Sequence, residues 1–188
     1  MYAKSPSPRA APHCPSASAA PFTSVFTANG TPVFGCNHTE MGHLRIARMP
    51  GDEWPGACVF HGACVEGLAS GPAIEARVGR SADQLPPEHA AWSTVAHALG
   101  QLLHALVLTT APRRIILGGG VMSAQPHLFG RVREELQRSL NRYVEVDVIL
   151  QHIEEYVVPP GLGALAGPLG ALALAASASG KVPLPSAK

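Results

Sequence analysis

Residues 38–72 read HTEMGHLRIARMPGDEWPGACVFHGACVEGLASGP, and the rest of the chain is interpreted outward from them. The stretch holds two imidazoles and two thiols: His43, Cys58, His61 and Cys64. The last three are spaced C-x2-H-x2-C, and fourteen residues separate His43 from Cys58. Structural zinc takes four N/S ligands, and thiolate with neutral imidazole suits a borderline-soft ion that has no redox chemistry. Three ligands three residues apart cannot share one side of a regular helix, so Cys58, His61 and Cys64 need a tight knuckle. Gly56 and Gly62 permit one. His43 then comes from a separate segment, and a metal would staple the two together. Two other readings stay open on these residues alone. The histidines could be unrelated neighbours of two buried cysteines, or Cys58 and Cys64 could form a disulfide, which needs an oxidising compartment.

Glu40-Met41-Gly42-His43, followed by Cys58-x-Phe60-His61-Gly62-x-Cys64-x-Glu66-Gly67-Leu68-Ala69-Ser70-Gly71-Pro72, resembles the zinc-binding segment of bacterial fructokinases in the ROK family of sugar kinases and repressors. The likeness continues more loosely to about residue 176. It implies a cytoplasmic, ATP-dependent sugar kinase of two α/β lobes with the actin-like ATPase (ribonuclease H-like) fold, usually a homodimer. With 188 residues the chain can bury one good core but is short for two such lobes. The expected fold is therefore the C-terminal lobe of that kinase, residues 25–178, with a small zinc-binding knuckle at 38–72.

Net charge is +1 and charged residues make up 14% of the chain, with arginines scattered rather than striped, which argues against a nucleic-acid surface. Four cysteines in a chain of this size are no disulfide framework of the small secreted type. Cys14 falls in a tail and Cys36 in a loop, and both read as free thiols in a reducing compartment.

Residues 1–24 are a Pro/Ser/Ala leader with no acidic residue and no apolar period, and read as disordered. Its composition faintly resembles a transit peptide, yet only Lys4 and Arg9 are basic. Asn29-Gly30 between two Val/Phe runs signals a two-residue hairpin. Beyond the knuckle, Ala73–Val78 reads as a short helix closed by Gly79. Residues 88–109 form the strongest helix, with Ser93, Thr94, His97, Gln101 and His104 recurring about every four residues as a narrow solvent stripe. Arg113–Leu117 reads as a buried strand that runs into Gly118-Gly119-Gly120, where backbone amides can approach a phosphate. A helix starting near Gln125 follows, with Leu128, Phe129, Val132, Leu136 and Leu140 on one face and a Glu134–Arg138 pair on the other. Val144–Leu150 alternates as a half-buried strand. Residues 157–179 carry no charge, but Pro159, Pro160 and Pro168 interrupt them, so a buried helix from Gly161 is expected rather than a membrane span. Residues 179–188 read as a loose tail.

The resemblance also distributes roles. It places sugar contacts at Glu40, His43 and Glu66. His43 would have one ring nitrogen on zinc and the other hydrogen-bonded toward the sugar. It places the nucleotide against Pro72, Gly118, Gly119, Gly120, Pro160, Gly161, Leu162, Gly163 and Ala164, with Mg2+ neutralising the polyphosphate. The family's N-terminal phosphate loop and its catalytic Asp have no counterpart: the aspartates present are Asp52, Asp83 and Asp147, none in such surroundings. The expectation is a fructokinase C-terminal part, converting ATP and D-fructose to fructose 6-phosphate only with segments this chain lacks. The alternative is a non-catalytic, zinc-stabilised sugar-binding or dimerisation module. A sugar-responsive repressor is disfavoured, because residues 1–23 cannot form a helix-turn-helix and repressors of this family use more cysteines.

Overall fold

The computed structural model describes residues 25–28, 31–33, 36 and 39–179. The leader, Cys14, the Asn29-Gly30 turn itself and the tail beyond Ser179 lie outside the described residues.

Strands β1 (Thr27–Ala28) and β2 (Thr31–Pro32) pair antiparallel with Ala28 opposite Thr31, the register a two-residue connection imposes. A 3₁₀ turn, Met41–His43, opens a long loop that runs through the knuckle into helices α1 (Val65–Ala69) and α2 (Gly71–Val78). Ser70 separates these helices, and its Oγ accepts the amide of Ala73 at 3.3 Å to start α2. Gly79, at φ +73°, ends α2 in the left-handed conformation the sequence pointed to. A 3₁₀ turn at Ala82–Gln84 leads to α3 (Ala91–Thr110), β3 (Ile115–Ile116), α4 (Gly120–Ala124) and α5 (Leu128–Leu140). Then come α6 (Asp147–Leu150), α7 (Ile153–Tyr156), β4 (Val157–Val158), a 3₁₀ turn at Gly163–Leu165 and α8 (Ala166–Ala178). β3 and β4 are parallel neighbours, Ile115 opposite Val157.

The core forms around α3. Trp92, Val95, Leu99, Leu102 and Leu103 meet Leu128, Val132, Leu136 and Leu140 of α5 on one side and Val65 and Leu68 of α1 on another. α3 is long and apolar enough to cross a membrane, but it is the packed centre of this fold.

Its polar stripe is where the structure departs most from expectation. Ser93 is exposed, but Thr94 and His97 are buried, and His97, Gln101 and His104 face α5 rather than solvent. The His97 Nδ1 lies 2.7 Å from Glu135 Oε1; Gln101 donates to Ser139 Oγ at 2.9 Å; Ser139 Oγ lies 2.9 Å from His104 Nδ1. Helical period locates a polar stripe but not what it meets. Here Glu135 and Ser139, one turn apart on α5, present the complementary groups. The same pairing redirects Arg138, which binds Glu135 through its Nε at 3.2 Å instead of Glu134.

Two further expectations change. Val144–Leu150 is not a strand: its second half is the helical turn α6, whose Ile149 and Leu150 carbonyls accept the Gln137 side chain of α5 at 2.7 and 3.4 Å. The strand beside β3 is β4 instead, where Arg133 holds the Val157 carbonyl and the Leu117 amide donates to Val158 O. Nor is α8 buried. Leu169, Leu172 and Leu174 are 41–66% exposed, because among the described residues the helix packs chiefly on the turn before it.

Gly100 faces α5 so closely that a Cβ there would lie 2.7 Å from Glu135 Cβ. Gly100→Ala gains helix propensity of about 1 kcal/mol but forces two packed helices apart, an overpacking cost of about 1–3 kcal/mol. A lower denaturant midpoint is expected in a chemical unfolding titration.

Candidate functional site

The knuckle is built on glycine. Cys58 and Gly62 exchange backbone hydrogen bonds at 3.2 and 2.8 Å, which turns Val59-Phe60-His61 into a three-residue tip. Gly56 and Gly62 adopt φ of +81° and +60°. A Cβ on Gly56 would lie 2.3 Å from the Gly62 carbonyl oxygen, and one on Gly67 would lie 1.9 Å from it. A bridge between Arg45 and Cys64, with the Val65 amide donating to Leu44 O at 3.2 Å, lays the Met41–His43 turn beside this knuckle. Cys64 is also the N-cap of α1, its Sγ accepting the Gly67 amide at 3.4 Å.

These turns bring His43, Cys58, His61 and Cys64 together, with the four ligand atoms all within 4.8 Å of one another. His43 Nδ1 lies 3.3 Å from His61 Nδ1, 3.6 Å from Cys58 Sγ and 3.7 Å from Cys64 Sγ; Cys58 Sγ lies 3.7 Å from His61 Nδ1. Tetrahedral zinc with its usual bonds to nitrogen and sulfur places ligand atoms roughly 3.3–3.8 Å apart. The donor set therefore fits zinc in type, number and spacing. Cys58 and Cys64 are free thiols, so the disulfide is not formed. Burial pushes the Cys64 thiol up from its ordinary range, and neighbouring Cys58 adds to it. A buried thiolate there needs a cation beside it, which a metal supplies.

A second arrangement, with no signal in the sequence, braces the loop between His43 and Cys58. Asp52 is buried, its side chain 3% exposed, and takes two hydrogen bonds from Arg77 of α2 at 3.1 and 2.8 Å. Arg48 donates to the carbonyls of Asp52 and Trp54 at 2.7 and 2.6 Å, and Arg77 lies over the Trp54 ring. The Arg77 hydrogen bonds lead in holding the Asp52 carboxyl below its ordinary range. His97 adds a third tie, its Nε2 2.9 Å from the Ala47 carbonyl oxygen. Partners 25 and 50 residues away leave no local pattern to read.

Of the sugar-contact candidates, His43 and Glu66 come together and Glu40 stands just before them. His43 Nε2, the nitrogen turned away from the ligand cluster, lies 3.6 Å from Glu66 Oε2. That oxygen is buried and accepts no hydrogen bond. Glu40 is exposed at the start of the 3₁₀ turn, where its carbonyl accepts the His43 amide at 3.0 Å.

The parallel pairing of β3 and β4 makes both glycine turns leave the sheet at the same end, where α/β sheets bind ligands. A cleft of about 1240 Å³ is lined there by Pro72, Gly118, Gly119, Gly120 and Pro160. Gly118 is so close to Pro160 that a Cβ would sit 2.7 Å from its ring, and Gly119 adopts φ +94°. Gly161, Leu162, Gly163 and Ala164 are exposed beyond the cleft wall and do not line it.

The ROK family profile matches residues 24–178. The chain belongs to the ROK family. A relative from Bacillus subtilis (strain 168) is 43% identical over 141 residues, covering 75% of this chain and 47% of that protein. The fructokinase of Pediococcus pentosaceus is 40% identical over 144 residues, 77% of this chain and 48% of its own. Among solved structures, the ROK hexokinase from Thermus thermophilus superposes with a TM-score of 0.55 at 26% identity, over 74% of this chain and 48% of that one. This ROK protein thus has the sugar-kinase fold of the actin-like ATPase superfamily, and it spans about half the length of the curated relatives it matches.

Two outcomes follow for the ligand loop. Zinc uptake of about one ion per chain is expected by metal analysis, and Cys58→Ser and Cys64→Ser should each lower it to well under half, with Cys64→Ser also lowering the unfolding midpoint. Because Asp52 has a depressed carboxyl, its stabilisation is present above the ordinary carboxylate range and lost as pH falls through the folded value. Acid unfolding of Asp52→Asn should therefore show a shallower loss of stability below about pH 4 than the parent, measured by circular dichroism.

Proposed function

We propose that this ROK protein serves ATP-dependent phosphorylation of a hexose, D-fructose first, and that these residues provide the zinc-organised sugar contacts and the glycine-lined nucleotide cleft. The observation that carries the reading is the juxtaposition of the His43, Cys58, His61 and Cys64 ligand set with the Glu66 carboxylate, 3.6 Å from His43. Relatives named fructokinase, at 35–43% identity, support the hexose.

Glu40 and Glu66 are acceptors for sugar hydroxyls, and His43 holds its ring between the metal and that pocket. Zinc, when bound, cross-links the loop and takes no part in phosphoryl transfer. The backbone amides of Gly118–Gly120 approach the polyphosphate, with Pro72 and Pro160 shaping the cleft walls. For Mg2+ the cleft wall offers one carboxylate, Asp83, whose Oδ1 accepts the Ser81 hydroxyl. Magnesium carried on nucleotide phosphates asks for no more than one or two.

Phosphorylating a hydroxyl also needs a carboxylate to accept its proton. Neither Asp52, locked between two arginines, nor Asp147, at the start of α6, stands beside the sugar contacts in the manner of such a base. These 188 residues alone should therefore bind zinc and hexose without rapid turnover. The second reading, a zinc-stabilised sugar-binding module without catalysis, is favoured by the same observation.

One purified sample tests both, by metal analysis, fructose binding by calorimetry and a coupled ATP/fructose assay. One zinc per chain and saturable fructose binding that Glu40→Gln weakens at least about tenfold support the sugar site, since a lost charge-assisted hydrogen bond is worth about 1.5–3 kcal/mol. Robust turnover would overturn the missing-base argument and point to Glu40 or Glu66. Absence of zinc would remove the foundation of both readings.

A further inference from the structure

We propose that Glu66 is a positioning residue for His43: its buried oxygen accepts the N–H of the imidazole on the side away from the ligand cluster, and so governs how tightly the cluster holds zinc. The inference rests on the reading of the cluster as a zinc site and goes beyond it, because it assigns Glu66 a role toward the metal rather than toward sugar alone.

The geometry leaves little choice of tautomer. His43 Nδ1 lies within 3.3–3.7 Å of the other three ligand atoms, so Nδ1 is the nitrogen given to the metal. A neutral imidazole that uses one nitrogen as a ligand carries its proton on the other. That proton, on Nε2, faces Glu66 Oε2 at 3.6 Å. A sub-ångström turn of the ring or carboxylate brings the pair to hydrogen-bond length, about 2.8 Å for a charged acceptor. The acceptor is waiting: Oε2 is buried without a hydrogen-bond partner, while the side chain's exposure of 22% lies on its other atoms. Among the described residues no arginine or lysine pairs with Glu66, and His43 is the one ion-pair partner it has.

Both partners stand on elements that the metal loop itself fixes. Glu66 lies in the first turn of α1, two residues after the ligand Cys64 that caps that helix. His43 ends the 3₁₀ turn that the Leu44 and Arg45 backbone ties to the same strand of chain. Seating Cys64 therefore seats Glu66 opposite His43. A carboxylate on the far side of a ligating histidine fixes its ring and raises its basicity, and its loss typically weakens metal affinity about 10–100-fold.

The experiment measures the zinc dissociation constant by chelator competition in the full chain and in Glu66→Gln, which keeps the side chain's shape and removes its charge. A loss of about tenfold is expected, at the lower end because the amide oxygen still accepts weakly. Nitrogen-15 NMR of the zinc-loaded parent should show the His43 proton on Nε2 with a downfield, exchange-protected resonance that moves upfield in Glu66→Gln. The parent's protected resonance does not depend on the variant folding, and a merely structural role for Glu66 would not produce it. Equal zinc affinity in Glu66→Gln, or a parent His43 whose Nε2 proton exchanges freely, overturns the proposal. A parent chain that takes up no zinc fails the metal reading itself, and is distinguished by the stoichiometry measured first.

Discussion

His97 ties the two parts of this molecule together. It lies in the first half of α3, in the seam with α5, and uses both ring nitrogens: one toward Glu135 at 2.7 Å, the other toward the Ala47 carbonyl at 2.9 Å. The first contact holds the helix pair in register. The second anchors the loop that runs from His43 to Cys58, which has little regular structure of its own. Gly100, one turn along, lets Glu135 approach closely enough to serve that histidine. The geometry of the ligand loop is thus set from the core outward.

That loop cannot hold its shape by burial alone. Between His43 and Cys64 most side chains are partly or fully exposed, and Val59 and Phe60 at the knuckle tip are 77% and 67% exposed. Small segments with so little core depend on cross-links. Here there are three kinds: the Asp52 carboxylate between Arg48 and Arg77, the His97 bond to Ala47, and the four-ligand cluster. The first two place the backbone; the last joins its two ends. A metal bound there contributes folding free energy as well as geometry.

The cleft follows from a different constraint. Two parallel strands must be joined by a crossover, and here α4 to α7 provide it. Because the strands run the same way, the glycine triplet after β3 and the Pro160 turn after β4 emerge side by side, although some 40 residues apart in sequence. Ile116, which lines the cleft, remains 63% exposed on this short sheet, so the cleft presents apolar surface.

By itself the sequence picked out the four candidate ligands, the glycines that shape the knuckle, the glycine that stops α2, and the approximate extents of α3 and α5. Each of these depends on residue type at short spacing: a thiol, an imidazole, a positive φ, a heptad-like run of leucines. It also indicated the family, through a run of motif residues that local chemistry alone would not have assembled. Only the tertiary structure decided that the polar stripe of α3 is an internal seam, that β4 rather than Val144–Leu150 pairs with β3, and that Asp52 is a locked brace. It alone turned the free nitrogen of His43 toward Glu66. These depend on partners 12 to 50 residues away, and a chain's periodicity records which side of an element is polar without recording what will stand opposite.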